Sequence, residues 1–276
     1  MNWFEKFIYA LQYEMTKPKP FGWFHLTSIA IIATLVTLAI VFRKKISRKF
    51  VNITMLVVGI ALIVSEAIKQ CIHSMDVVDG VAKWSYAWER FPFQFCSVPI
   101  FLYVFAGIVR KGKVYDTILC FLAIFAPFGG ASTLVYPVTV MSSVLYLSLH
   151  TVFWHGAMIV IAFMLLATKS IEFKFKSVWK ACIVFVIILA LAEAMNFIWH
   201  FYGDPEQEFN MFYISPYYTC DMPLLHEIQK KAPYIVFFLS YSVGFVVIAF
   251  MIMGAAIGID KLHKLVSDKR RAKKSA

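Results

Sequence analysis

The sequence has 276 residues, of which 61% are hydrophobic and 16% are charged, whereas soluble domains carry roughly 25% charged residues. This composition excludes a soluble globular domain and predicts an all-α, polytopic membrane protein with membrane lipids as its partners. The net charge of +11 does not indicate nucleic-acid binding, because the Lys and Arg residues form short clusters between apolar runs, as loop charges of membrane proteins do. The sequence leaves the oligomeric state open.

Residues 1–20 lack the basic start and the cleavage site of a signal peptide. Apolar side chains recur there at helical spacing, opposite a polar face, and they are Trp3, Phe4, Phe7, Ile8 and Leu11 against Glu5, Lys6 and Gln12. This pattern predicts a short amphipathic helix that lies in the membrane interface. Pro18 and Pro20 separate it from the first spanning run.

Apolar runs long enough to cross a bilayer follow, since a crossing needs about 20 residues. There are seven of them, at 21–42, 51–70, 91–109, 115–134, 144–167, 178–200 and 233–259. The fourth run is the least regular, because Pro127, Gly129 and Gly130 interrupt it. The sequence thus predicts a seven-transmembrane-helix bundle over residues 21–259, followed by a basic cytoplasmic tail at 260–276.

Loop charges give the orientation of the bundle. Basic clusters at 43–49, 110–113, 169–180 and 261–274 alternate with connections that are rich in acidic residues. By the positive-inside rule, the protein crosses the cell membrane several times, with its amino terminus outside and its carboxyl terminus in the cytoplasm. The basic tail then serves as a topology anchor that also touches anionic lipid headgroups.

The two long outer connections, about 71–90 and 201–232, are rich in aromatic residues. Aromatic side chains of this kind suit the membrane–water boundary, where one end of the ring stays hydrated. The same residues would also suit a half-embedded cap over a site. The sequence leaves both interpretations open.

Ionisable and polar residues within the predicted spans all fall in the outer half of the membrane. They are Glu66, Gln94, Cys96, His150, His155, Glu193, Asn196 and His200. Such groups are costly in hydrocarbon and usually face the bundle interior, so we predict a shared polar cavity that opens outward. Glu66 is also within reach of Lys69 and Gln70 on its own helix.

The two histidines of the fifth run differ in direction, because a separation of five residues turns a helix by about 140°. At most one of them therefore points squarely into the cavity. We favour His155, because it is the deeper of the two and because Gly156 beside it allows a neighbouring helix to approach closely.

Cys96 lies in the stretch 91–99, which ends in Pro99. Proline has no backbone N–H and crowds the preceding turn, so we expect a helix kink that leaves the Phe95 carbonyl free beside the thiol. Cys96 is then either a small buried hydrophobic residue at a kink or a nucleophile.

The chemistry of a nucleophile follows from its neighbours. Cys96 would attack an acyl carbonyl, and His155 would act first as general base and then as general acid. Glu193 or Asn196 would orient the imidazole, while Gln94 or the Ser97 hydroxyl would donate to the developing oxyanion. Two alternatives stay open, a small-solute transporter or sensor with an outward-facing cavity and a non-catalytic membrane subunit. We predict no metal site and no cofactor, because the cysteines and histidines lack ligand spacing.

The remaining cysteines are at 71, 120, 182 and 220 and include no CxxC pair, so no disulfide framework is indicated. Cys71 and Cys220 both fall in predicted outer segments and could pair.

The run Pro92-Phe93-Gln94-Phe95-Cys96, the pair His155-Gly156, Asn196 and the outer loop before the last helix together resemble YwaF-type bacterial integral membrane proteins. These in turn are distantly similar to eukaryotic transmembrane protein 164. For that relative, the resemblance implies cysteine-dependent acyl transfer between phospholipids through a Cys and a His, which fall on Cys96 and His155 here. The resemblance also leads us to expect a His where this chain has Gln94.

Overall fold

The computed structural model describes residues 1–137 and 140–275, and the side chains of all of these except 223 and 270–275. In chain order the helices are α1 Trp3–Leu11, α2 Trp23–Val41, α3 Arg48–Ser74, α4 Val98–Val109, α5 Lys113–Ile124, α6 Ala126–Val135, α7 Leu145–Ala167, α8 Phe175–Tyr202, α9 Pro223–Lys231 and α10 Tyr234–Ser275. A short antiparallel hairpin, β1 Met75–Val78 and β2 Val81–Trp84, follows α3, with Met75 opposite Trp84. Two 3₁₀ turns lie at Trp88–Arg90 and Met211–Tyr213.

The amino-terminal helix α1 packs against the end of the bundle that carries the β1–β2 hairpin, and we label this end outer after the orientation that the sequence predicts. A capping box between Asn2 and Glu5 closes its first turn, since each side chain accepts a backbone N–H of the other residue. Ile8 is fully buried, whereas Trp3 is 79% exposed. Backbone hydrogen bonds then join residues 13–15 to residues 143–145 at the start of α7. The predicted amphipathic helix therefore forms, with Ile8 and Leu11 packed on the protein and Trp3, Phe4 and Phe7 exposed, while its location in the membrane interface stays a prediction.

Among the described residues, six helices are long and apolar enough to cross a membrane, and they are α2, α3, the α5–α6 pair, α7, α8 and α10. The α5–α6 pair is the most buried of the six and forms the centre of the bundle. It is broken at Phe125, and Pro127 starts the second half. The predicted interruption of the fourth run is thus confirmed, and it lies where protein covers the backbone.

The third predicted span gives only the 12 residues of α4, about 18 Å of helix against a hydrocarbon core of about 30 Å. The predicted count of seven spanning helices is therefore not confirmed. The predicted kink at Pro99 is wrong. Helix α4 begins at Val98, so Pro99 lies in its first turn, where backbone N–H groups have no partner within the helix and a proline costs no hydrogen bond. Residues 91–97, expected to be helical, are irregular.

Helix α4 lies antiparallel to α3 and close to it. A Cβ on Gly107 would come within 2.9 Å of the Leu56 backbone, and a Cβ on Gly59 would come equally close to the Val104 backbone. At the same end, the Tyr115 hydroxyl donates to Asn52 over 2.6 Å. Near the other end of α3, Gln70 donates to the Arg90 carbonyl, so the irregular segment 91–97 begins beside that end of α3.

The basic connections meet at one end of the bundle. Arg43 lies 3.3 Å from His263, Arg48 donates to the Ser170 carbonyl, and Lys169 pairs with Asp260. Helix α10 continues without a break through the predicted start of the tail at 260. The basic side chains that we predicted from 270 to 274 lie outside the described side chains.

Candidate functional site

Residues 91–97 are covered by the connection 203–222 between α8 and α9, which we call the outer cap. Gln94 fixes the two segments together, because its amide nitrogen donates to the Asn210 carbonyl over 2.9 Å and its oxygen accepts the Phe212 N–H over 2.7 Å. Phe93 stacks on Phe212, and Phe95 meets the same ring edge to face. Gln94 therefore satisfies backbone groups of the cap rather than facing an open cavity.

A second side-chain amide holds the cap from α8. Asn196 is fully buried and makes two hydrogen bonds to Met211, one with its N–H and one with its carbonyl. The two residues after Met211, Phe212 and Tyr213, have φ values of 60° and 57°, in the left-handed region that bulky residues rarely adopt. The bonds from Gln94 and Asn196 hold this strained turn in place.

The Cys96 thiol lies in the turn just before α4. It is partly exposed, unlike the buried thiols of Cys120, Cys182 and Cys220. A Cβ on Gly129 of α6 would stand 3.1 Å from its sulfur, so the sulfur packs into the space that this glycine leaves.

Cys96 is linked to both the cap and α7. On the cap side, the neighbour of Cys96 is Tyr213. Burial raises the pKa of the Tyr213 phenol, and the nearby Asp221 carboxyl and Cys96 thiol raise it further. On the other side, the Trp154 indole N–H donates to the Cys96 carbonyl over 2.7 Å. Cys96 thus lies between the cap and the turn of α7 that carries Trp154 and His155.

His155 is buried, and its Nδ1 lies 2.9 Å from the Thr151 carbonyl one turn back on α7. Its ring also packs against Trp154, with centroids 4.5 Å apart. Among the described residues, no hydrogen bond joins its imidazole to the Cys96 sulfur. Gly156 faces Ile32 of α2, which bears out the prediction that it allows close helix approach.

His150 belongs to a different network. Its Nε2 lies 3.1 Å from Glu66 Oε2, and its Nδ1 lies 2.7 Å from the Ser65 hydroxyl. Glu66 also accepts from Lys69 and Gln70, as the helical spacing predicts. The network extends to the Cys96 region, because the Lys69 ammonium lies 5.2 Å from the Trp154 ring.

The remaining predicted residues contact the cap. Glu193 accepts a 2.5 Å hydrogen bond from Tyr234, whose hydroxyl oxygen also lies 3.0 Å from the Ile214 carbonyl. His200 is exposed and stacks on Tyr217 with ring centroids 3.4 Å apart. Ser97 is buried, but its hydroxyl does not cap α4. The predicted residues therefore form one network around Glu66 and another around the cap, instead of sharing a single cavity.

Two cavities lie away from Cys96. One of about 720 Å³ is a groove between α1 and the outer ends of α3 and α7, and another of about 520 Å³ lies among the basic connections. In the described part of the chain, no three His, Cys, Asp or Glu side chains come together as metal ligands. All five cysteines are free, so Cys71 and Cys220 are not joined.

Comparison with known proteins agrees with this arrangement of apolar helices. A model of the TMEM164 family matches residues 20–256. The chain belongs to the TMEM164 family. The resemblance to transmembrane protein 164 is thus confirmed, while the resemblance to YwaF-type bacterial proteins stays a prediction. Searches among curated proteins and among solved structures give no match. This member of the TMEM164 family is an integral membrane protein.

Sequence reasoning missed several residues of the site. Trp154 connects Cys96 to α7, although an indole next to a predicted catalytic histidine could have drawn attention to it. Ser65 precedes Glu66 on α3, and Asn210 fixes the cap from within. The contacts of Trp154 with Cys96 and of Ser65 with His150 join elements that are distant along the chain, so the local sequence does not show them.

Proposed function

We propose that this TMEM164-family protein is a cysteine-dependent lipid acyltransferase in which Cys96 carries the acyl group. The observation that supports the proposal most is the 2.7 Å hydrogen bond from Trp154 to the Cys96 carbonyl, because it ties a partly exposed thiol to the turn that carries His155. Cys96 also lies in the turn just before α4, where its sulfur packs at Gly129 of α6. The proposed substrates are acyl esters of membrane lipids.

The hydrogen bond of His155 suits the role of a base. The Thr151 carbonyl can only accept, so Nδ1 of a neutral imidazole carries the proton and Nε2 keeps its lone pair. In the proposed reaction, Nε2 takes the thiol proton as the sulfur bonds to the acyl carbon of a lipid ester. The ester C–O bond then breaks, and the departing lysolipid oxygen takes the proton from His155. A second lipid alcohol attacks the thioester, receives the acyl group and regenerates the thiol.

The other predicted site residues have supporting roles in this proposal. Gln94 and Asn196 hold the outer cap over Cys96, and Glu193 holds the cap through Tyr234. The cap excludes water from the thioester, which would otherwise be hydrolysed. Ser97 remains the hydroxyl nearest in sequence to the thiol, and we retain it as a candidate oxyanion donor.

The proposal includes an orientation. We propose seven crossings, with residues 91–97 and α4 together forming the third, and with the amino terminus outside the cell membrane. The meeting of the basic connections at one end of the bundle supports a cytoplasmic location for that end. A reporter that fluoresces only in the cytoplasm, fused after residue 276, tests it. Fluorescence is expected, and a dark, surface-accessible fusion would contradict the orientation.

Acyl-enzyme trapping tests the chemistry. Purified protein in lipid nanodiscs is incubated with a short-chain phospholipid, and peptide mass spectrometry then locates any adduct that hydroxylamine releases. We expect an acyl group on Cys96, absent in Cys96→Ala and at least about 100-fold slower to form in His155→Gln. Cys71→Ala is the matched control, because Cys71 is the other partly exposed thiol. Full transfer activity in Cys96→Ala would overturn the proposal.

A further inference from the structure

Ser65, His150 and Glu66 form a linked arrangement that the Cys96 proposal does not use. The Ser65 hydroxyl lies 2.7 Å from His150 Nδ1, and His150 Nε2 lies 3.1 Å from Glu66 Oε2. Ser65 is partly exposed, whereas His150 and Glu66 are buried at 3% and 4% exposure. A hydroxyl, an imidazole and a carboxylate thus stand in the order that activates a nucleophilic serine.

The direction of each hydrogen bond follows from the charges. Lys69 and Gln70 both donate to Oε1 of Glu66, which keeps this carboxylate ionised and leaves Oε2 as an acceptor. Nε2 of His150 must therefore carry a proton. A neutral imidazole has only one N–H, so Nδ1 has the lone pair and Ser65 must donate its hydroxyl proton to it.

A fourth group completes the arrangement. The Tyr146 hydroxyl lies 2.9 Å from the Ser65 oxygen and 3.2 Å from the Ser65 carbonyl. Because the Ser65 proton is directed at His150, Tyr146 is left as a donor beside the oxygen that would attack a substrate. The Tyr146 hydroxyl therefore holds the Ser65 side chain in place beside His150.

A groove lies further along α3 and α7, towards the end of the bundle that carries α1, and the buried side chains of Ile72 and Leu147 are part of its lining. The volume of the groove is about 720 Å³. Ile72 is seven residues from Ser65 on α3, and Leu147 is three residues from His150 on α7, so each lies on the matching face of its helix. The groove floor is about 10 Å above Ser65 along α3. Its polar rim includes Gln12, Glu14 and Asp76, which suits the polar part of a membrane amphiphile.

We propose that Ser65 is a second acyl nucleophile, activated by His150 and oriented through Glu66, for a lipid ester that enters from this groove. The Ser65 oxygen bonds to the acyl carbon as its proton passes to His150 Nδ1. The ester C–O bond breaks, and the departing alcohol takes the proton from His150. A water molecule or a lipid alcohol then attacks the acyl-serine, receives the acyl group and restores the Ser65 hydroxyl.

Fluorophosphonate labelling of the full chain in nanodiscs tests this inference, because the probe reacts with activated serines. All variants carry Cys96→Ala, which separates the result from the chemistry proposed for the thiol. We expect a phosphonyl adduct on the peptide that contains Ser65, lost in Ser65→Ala and formed at least about 100-fold more slowly in His150→Gln. Ser242→Ala is the matched control, because its hydroxyl only bonds back to Phe238 on its own helix.

Glu66 acts through His150 and therefore needs a separate measurement. We expect Glu66→Gln to slow labelling, and Glu66→Asp, which keeps the carboxylate, to recover part of the rate. Thermal unfolding of each variant in the same nanodiscs identifies any loss of fold. An unlabelled Ser65 in protein that unfolds at the temperature of the parent would overturn the inference, as would equal labelling of His150→Gln. Cys96 acylation in the wild type is scored separately, so either proposal can fail alone.

Discussion

Replacing Gly130 by alanine tests the close packing of α6 on α7. A Cβ at this position would stand 2.6 Å from the His155 carbonyl oxygen, a backbone atom that no side-chain rotation can move. This overlap can be relieved only if α6 and α7 move apart in the region of Cys96 and His155. Gly254 on α10 is the matched control, because a Cβ there would meet nothing within 4 Å.

The expected size of the effect follows from two opposing contributions. Alanine in place of glycine favours a helix by about 1 kcal/mol at either site. Overpacking of a tight contact costs about 1–3 kcal/mol, and only Gly130→Ala incurs it. The two variants should therefore differ by about 1–3 kcal/mol, with Gly130→Ala the less stable. In a chain of this size, 1 kcal/mol shifts the melting temperature by roughly 2–4 °C, so we expect a gap of about 2–12 °C.

A thiol-reactive fluorescent dye is a suitable assay, because it reports the exposure of the buried cysteines as the protein unfolds on heating. Both variants are measured in the same detergent and at the same heating rate. Equal melting temperatures for Gly130→Ala and Gly254→Ala would refute the packing described for α6 and α7. A loss of Cys96 acylation in Gly130→Ala at temperatures where it stays folded would further connect this contact to the proposed site.

Three more substitutions give separate outcomes. In Gly129→Ala, the new methyl group would meet the Cys96 sulfur and the ends of other side chains but no backbone atom. Maleimide labelling of Cys96 should therefore slow, while the melting temperature stays within a few degrees. Tyr115→Phe should cost about 1–3 kcal/mol by removing a buried 2.6 Å hydrogen bond, whereas Tyr103→Phe should be neutral, because its hydroxyl has no partner among the described residues. Asn196→Ala should lower the melting temperature and speed proteolysis of the outer cap, and unchanged cleavage would contradict its role.

Much of the helical framework could be predicted from the sequence, because long apolar runs in a membrane have few alternatives to a helix. The predicted run at 144–167 became α7 at Leu145–Ala167, and the interruption near Pro127 became the α5–α6 break. The third run differed because hydropathy does not distinguish a helix from irregular backbone that other protein segments cover. Residues 91–97 make short-range backbone hydrogen bonds, and the Gln94 side chain joins them to the cap, which lies more than 100 residues away along the chain.

The site was less predictable, because it depends on how each helix is rotated about its axis. Periodicity showed that His150 and His155 point in different directions, but only the packing of α3 on α7 places His150 between Ser65 and Glu66. The sequence around Gln94 does not predict the role of its side chain either. It became interpretable once both of its bonds to the cap were known, and they show why an amide with both a donor and an acceptor suits this position.

The dependence of residues 91–97 on the cap also constrains the order in which the chain can be assembled. The Gln94 side chain accepts a hydrogen bond from the Phe212 N–H, and Phe212 lies 118 residues after Gln94 along the chain. At roughly 5–20 residues per second, a ribosome takes about 6–24 s to make that length. During this interval residues 91–97 lack the partners that Gln94 has in the cap, so this part of the structure can be completed only after the connection that follows α8 has been made.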